Sequence, residues 1–430
     1  MNPMSADHPL RRRLSDVLHE RSLQIEAGPV ALRSWLVLVD DEDRAAETEW
    51  LASLGYSAEA EEGRVTDIVT EDGHIVAGQV WERHREFSIY LRFSHKFAGE
   101  AHGRPPFGFF RSANFDWLSG APGKRFRSVE IVVTGVEPDE ATLRDTVNLR
   151  DTVCCDVFDG AARIWTDFRL HDDHGGGGAG RILVHDRNLR NDETARLLQT
   201  LLDIGNYRKL ALLGFPVARD LFDWLRQADA RLAGITDEMR SARCSDDHVM
   251  EALTRLAADV GTQIDRVRFR QGATDAYYRL TLDRLASLRE QRVSGFSTMA
   301  EFIQRRLQPA MRTCEAAARR IDDLAMRTGR TTDLLRTRIS LSLERQNQML
   351  LTNMDQRSEL QLRMQALVEG FSVFAISYYV FSLVKYAAEP VLAEGHAAKW
   401  SNGAAIGVIV AIVWLVIRRR RRKIEGCERP

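Results

Sequence analysis

Two histidines and two aspartates stand together at His171-Asp172-Asp173-His174, directly before four glycines. Imidazole nitrogens and carboxylate oxygens are ligands for zinc or another divalent ion, so this is a candidate metal centre. The glycines weigh against it, because a site needs its ligands held in place before the ion arrives. A solvated hairpin tip is the simpler reading. Nor do the glycines form a phosphate loop, since no Gly-Lys-Ser/Thr follows and Arg181 opens a strand instead. Cys154 and Cys155 fall on opposite faces of an extended strand, which suits small buried apolar side chains better than a catalytic pair. Glu82, His84 and Glu86 recur at alternate strand positions and share a face, either as an acid–base cluster or as an exposed charged surface. No Ser or Cys stands in a nucleophile elbow. The sequence therefore offers no catalytic residue and no cofactor, and a divalent cation at 171–174 is the one ligand of that kind to test.

These residues belong to a first segment, residues 1–188, where short strands alternate with loops. Trp35–Val39 is a compact apolar run followed by a helix near Arg44–Leu54. Val65–Thr70 and Ile75–Trp81 flank an Asp-Gly turn, as a hairpin does. Phe87–Phe93 and Ser128–Thr134 alternate with period two, and Ala162–Leu170 with Arg181–His185 suggests a last hairpin. The expected fold class is α+β: a mostly antiparallel α/β cytoplasmic domain, a long-helix stalk, and a C-terminal two-span transmembrane hairpin. A helical segment, 189–295, follows the first domain. Its expected breaks are Gly205-Asn206, Pro216 and the polar stretch between Arg270 and Thr274. The stalk covers 296–366, with further punctuation at Thr328–Asp333.

The membrane hairpin is expected at 367–417, with spans at 367–386 and 400–417, about 20 residues being needed to cross hydrocarbon. It ends at Arg418, Arg419, Arg420, Arg421, Arg422 and Lys423, in a basic tail 418–430 suited to anionic lipid heads. The connector carries only Lys385 and Lys399, so the positive-inside rule sets both termini in the cytoplasm. On the first span, Ser372, Ala375, Tyr379, Ser382 and Tyr386 make a small and polar stripe. Such a stripe packs against the second span or faces a water-filled path. The N-terminus has no apolar core of a signal peptide. Five cysteines without a spaced framework fit a reducing compartment, and a net charge of −1 gives no basic excess for nucleic acid.

Along the stalk, Leu307, Cys314, Ile321, Thr328, Leu335, Ser342 and Met349 recur at seven-residue steps, with Met311, Ala318, Ala325, Thr332, Ile339 and Gln346 four positions on. This diluted heptad packs either on helices of its own subunit or along the axis of a homo-oligomer.

Several motifs carry a resemblance. They are His8-Pro9-Leu10-Arg11 with Leu18-His19, the Trp81–Phe87 strand, Gly205-Asn206-Tyr207-Arg208, Leu335–Arg338, and Val368–Val373 leading to Ile376–Tyr379. Together they resemble a bacterial family of uncharacterised membrane-anchored proteins, classed as a domain of unknown function. The resemblance implies the bacterial inner membrane and carries over no site residue. The layout is also similar to CorA-type magnesium channels, which implies a pentamer-like assembly. Their Gly-Met-Asn signature is absent, Tyr386-Ala387-Ala388-Glu389-Pro390 standing in its place. Two functions remain open, a membrane-anchored cytoplasmic scaffold or sensor and an oligomeric channel or transporter. The first is preferred, because the spans lack a ring of acids or a filter motif.

Overall fold

The first half of the fold runs β1 (Val30–Leu38), α1 (Asp41–Ser53), β2 (Arg64–Glu71), β3 (His74–Arg83) and β4 (Phe87–Ser94), followed by a helical turn at Pro106–Gly108 and α2 (Phe109–Ser112). The second half runs β5 (Lys124–Thr134), α3 (Glu140–Thr146), β6 (Val153–Val157), β7 (Ala162–His171) and β8 (Ala179–Asp186). Helices α4 (Asn191–Leu212), α5 (Gly214–Ser241) and α6 (Asp246–Ser287) come next, then β9 (Gln291–Arg292) and α7 (Met299–Ala388). The computed structural model describes residue 11 and residues 23–54, 56, 64–96, 106–112, 120–172, 177–241, 244–388, 407–408, 410–416 and 418–419.

The strands form one nine-stranded sheet in the order β2-β3-β4-β1-β5-β8-β7-β6-β9. β1 is an inner strand, fourth in that order, and is buried from Val30 to Val37 as an almost continuous apolar run requires. The β2–β3 hairpin turns at Asp72-Gly73, with φ of 49° and 82°, a left-handed geometry that Asp and Gly tolerate. β5 and β8 run parallel, whereas the other neighbouring strands are antiparallel. The fold is thus α+β with a mixed sheet. Strand order repeats between the halves, the first strand lying beside the fourth each time. Direction does not repeat: β4 opposes β1, but β8 parallels β5.

Alternation along β1 sends side chains to two different layers. Trp35 and Val37 join Leu51 of α1, Trp81 and Tyr90 on one face, which Ala31 extends beneath Phe107 and Phe110. Leu36, on the opposite face, meets Phe87 and Leu210 of α4, with Tyr207 and Tyr277 packed beside them. A polar row also crosses the sheet: Asp67, Gln79, Arg92, Arg33, Glu130 and Arg181 are successive cross-strand partners. At its centre Arg33 pairs with buried Glu130, and Arg181 lies 3.7 Å from the same carboxylate.

The helices are longer than the sequence suggests. α4 passes through Gly205-Asn206 without a break, because Gly205 makes room for a neighbouring side chain and does not end the helix. The boundary comes at Leu213, and Pro216 falls in the first turn of α5, where a missing N–H is tolerated. α6 runs past Gly272 from its Ser245 cap, whose hydroxyl accepts from His248 N at 3.3 Å. α7 continues through Thr328–Asp333. There Thr328 and Thr331 hydroxyls donate to the Leu324 and Arg327 carbonyls at 2.8 and 2.9 Å, so these residues sit within a helix without opening it.

The chain divides into two compact units, Met1–Thr331 and Thr332–Pro430. The first holds the sheet, α1 to α6 and the start of α7 as far as Thr331. In the second, 407–408 and 410–416 are also helical. α7 contains an 18-residue window of mean hydropathy 1.5 that is 6% buried, long and apolar enough to cross a membrane by length and composition. It is one helix that meets this test among the described residues.

Candidate functional site

A cleft of about 40 Å³ opens between the α4 face of the sheet and α4 itself, with Met299 among its lining residues. Three cations from the middle of the fold converge on it: Arg127 of β5, and Arg208 and Lys209 of α4. The register places Arg127 opposite Leu36, on the inward face, so its long side chain has to lie under the helix. Gly205 makes this feasible, because a Cβ at that position would overlap the Arg127 guanidinium. Arg127 Nη1 then donates to Asn206 Oδ1 at 2.7 Å. Lys209 Nζ donates to the Phe126 carbonyl at 3.3 Å.

Arg208 is held by stacking. Its guanidinium lies 4.6 Å from the Phe168 ring, which stacks on Phe302 at 4.7 Å, and Arg306 covers the far side of Phe302 at 3.8 Å. Two aromatic rings are thus enclosed between two guanidinium groups, an arrangement that draws on the negative ring faces. Phe168 reaches this place from a bulge in β7, where the ladder shifts between Thr166 and Leu170 and Phe168 takes a φ of 55°. A bulky residue with positive φ is uncommon, and bulges recur where a side chain has to be re-aimed. The bulge is fixed by Asp167, which accepts from Asn148 N and Arg169 N at 2.9 Å each.

The electrostatics follow from this convergence. Burial and the nearby Arg208 charge lower Arg127 to about 9, with Asp203 opposing. Burial and Arg306 lower Arg208 to about 10. Burial, with Arg127 and Arg208, lowers Lys209 to about 8. Asp203, the carboxylate that offsets Arg127, is already held by Arg284 at 2.9 Å and Gln199 at 2.8 Å. None of the three cations forms an ion pair among the described residues, and Arg208 Nε is buried there without a hydrogen-bond partner. The arrangement is suited to holding an anion.

The residues singled out in the sequence lie elsewhere. His171 Nε2 is 3.0 Å from Asp167 Oδ2, at the foot of the bulge. Asp172 follows β7, and Asp173 and His174 lie outside the described residues. Glu82 and His84 are 3.2 Å apart, but Glu86 turns to Arg270 and Tyr277 of α6, so the trio is not one cluster. Cys154 and Cys155 are buried, and burial pushes both thiols up, Cys154 to about 11. A different set, Glu238, Cys244 and His248 at the α5–α6 corner, brings three ligand atoms within 4.8 Å of one another.

Of the seam, Leu307, Cys314, Ile321 and Leu335 are buried within the chain, Ile339 is half-buried and Met349 is exposed. In the stripe, Ser372, Ala375, Tyr379 and Tyr386 are exposed and Ser382 is half-buried. Ser372 Oγ donates to the Val368 carbonyl at 2.8 Å. Arg418 lies over the Trp414 ring at 4.6 Å, while Arg420, Arg421, Arg422 and Lys423 lie outside the described residues.

The cleft was missed by sequence reasoning, although a signal for it exists. Arg208 and Lys209 interrupt an apolar helix face between Ile204 and Leu210, and Arg127 interrupts an inward-facing strand. The Gly205–Arg208 motif supplies the space, the acceptor and one cation.

Comparison with curated proteins finds no match. Comparison with protein families matches residues 6–424 to the family described as protein of unknown function, DUF3422. The layout likeness to CorA-type magnesium channels gains no support from that match. Because the match covers nearly the whole chain, the protein belongs to the DUF3422 family.

Proposed function

We propose that the protein is a membrane-anchored cytoplasmic sensor, the scaffold role being the simpler form of the same reading. The observation that carries it is the apolar stretch of α7, whose 18-residue window of mean hydropathy 1.5 is only 6% buried by its own chain. Leu367, Phe371, Phe374, Tyr378 and Leu383 are all exposed there. An apolar surface of this extent is satisfied by lipid or by another protein. Its length favours lipid. In this reading the stretch pairs with the second apolar run, 400–417, as a hairpin, and the basic residues 418–423 rest on anionic lipid heads on the cytoplasmic side of a bacterial inner membrane. The cleft in the first unit favours a sensor over a bare scaffold, since a set of unneutralised cations, Arg127 buried and Arg208 and Lys209 half-buried, is poorly explained by packing alone.

Membrane fractionation tests the anchor. The full-length protein is expected in the membrane pellet and to resist extraction at alkaline pH. A chain released by carbonate would exclude an integral anchor.

A further inference from the structure

We propose that the cleft between β5, β7 and α4 is a binding site for a small phosphate-type oxyanion, either free phosphate or the phosphoryl group of a larger molecule whose body stays outside. This names a ligand for the sensory role, and it stands apart from membrane attachment. Size sets the first limit. A cavity of about 40 Å³ holds two or three waters or one small oxyanion, roughly 10–15 Å³ being needed per water. A nucleoside or an acyl chain does not fit inside.

Charge sets the second limit. Arg127, Arg208 and Lys209 bring three positive groups to one cavity, and the carboxylate nearest in effect, Asp203, is engaged by Arg284 and Gln199. Like charges gathered in a buried place disfavour their own ionised forms, as their lowered pKa values record. A divalent anion would remove that repulsion, whereas a monovalent carboxylate would leave more of it. Other cations that line the cleft are directed away: Arg169 pairs with Asp151, and Arg181 faces Glu130.

Preorganisation is the third argument. The space at Gly205, the Asn206 acceptor and the Phe168 ring fix the two guanidinium groups before any ligand arrives. Fixed donors bind with little ordering cost. Arg208 Nε, buried and without a partner among the described residues, is a donor that an oxyanion would satisfy.

The test uses the full-length protein in a neutral detergent and reads thermal unfolding and calorimetric heat. Inorganic phosphate at a hundredfold excess over its Kd is expected to raise Tm by about 5 °C over sodium chloride of equal ionic strength. Acetate is expected to raise it by much less. Lys209→Met and Arg208→Gln each remove a half-buried cation. Lys209→Met is expected to unfold no lower than the wild type without phosphate, and both variants are expected to lose most of the phosphate-dependent rise. That pattern separates binding from the general stabilisation by excluded salts, which would act equally on all three proteins.

A second arm adds vesicles of phosphatidylcholine with or without phosphatidic acid. A shift with phosphatidic acid vesicles and none with free phosphate assigns the phosphoryl group to a lipid head, and the reverse assigns free phosphate. No shift with either ligand, or equal shifts in the wild type and both variants, would overturn the proposal. A response to acetate as large as that to phosphate would overturn the divalent assignment.

Discussion

Glu47 on α1 is fully buried, and its carboxylate gathers donors from three elements. Trp81 Nε1 and Tyr90 OH reach one oxygen at 3.2 and 2.7 Å, while Arg83 Nε and Arg44 Nη1 reach the other at 3.1 and 2.9 Å. Burial works to raise this carboxyl, but the hydrogen bonds and the Arg44 charge override it and hold the group below its ordinary 4.5. Removing the acid strands half-buried Arg83 and fully buried Tyr90, so Glu47→Ala is expected to cost about 3–5 kcal/mol, read as a fall in the urea midpoint. A depressed carboxyl contributes its stability above the unfolded value and loses it as pH falls through the folded one. Below pH 4.5 the wild type should therefore lose stability more steeply than Glu47→Gln. Parallel acid curves would remove Glu47 from the ledger. Little of this is legible locally: Asp41–Trp50 reads as a polar helix, and apart from Arg44 the partners of Glu47 lie in β3 and β4. The Asp40 cap and the Asp72-Gly73 turn are legible, because each is decided by neighbours in sequence.

At the scale of elements, the same distinction explains Gly205. Ala there would ordinarily favour a helix by about 1 kcal/mol. Because an added Cβ meets the Arg127 guanidinium, Gly205→Ala is instead expected to destabilise by about 1–3 kcal/mol in urea unfolding. A stabilised variant would show that Arg127 moves aside freely. The sequence reveals a residue without a side chain; it does not reveal which distant strand uses the space. For α7, the seven-residue seam is legible, but burial divides it. Leu335 is covered by the chain itself, so an acid there would attack the fold as well as any assembly. Met349 and Leu350 are exposed, and self-association along this helix would bury them. Met349→Asp with Leu350→Asp is expected to yield a smaller species in sedimentation of the detergent-solubilised protein. Unchanged size with intact helicity would rule out an interface at that point.

For the whole molecule, the membrane reading places both termini on one side. Cys427 should resist an impermeant thiol reagent in intact cells, and a cysteine introduced as Gly395→Cys in the connector should react. The opposite pattern would invert the topology. That reading rests on hydropathy and Arg/Lys placement, which are one-dimensional signals. The parallel placement of β8 beside β5 is not legible in the sequence, since nothing in either strand encodes its neighbour's direction.

One small pairing bears on how such a chain is made. The last edge of the sheet is closed by β9, whose Gln291 and Arg292 pair with Asp156 and Cys155 of β6. Synthesis at about 5–20 residues per second leaves an interval on the order of ten seconds between the emergence of β6 and of its cover. For that time the apolar Val153–Val157 edge would carry open hydrogen-bonding groups, a template for pairing with another nascent chain. A protein ending after Ser287 would keep that edge bare for good. Aggregation of such truncated chains, relieved by restoring Gln291–Arg292 and the residues after them, would identify the closing strand as a guard on folding in the cell.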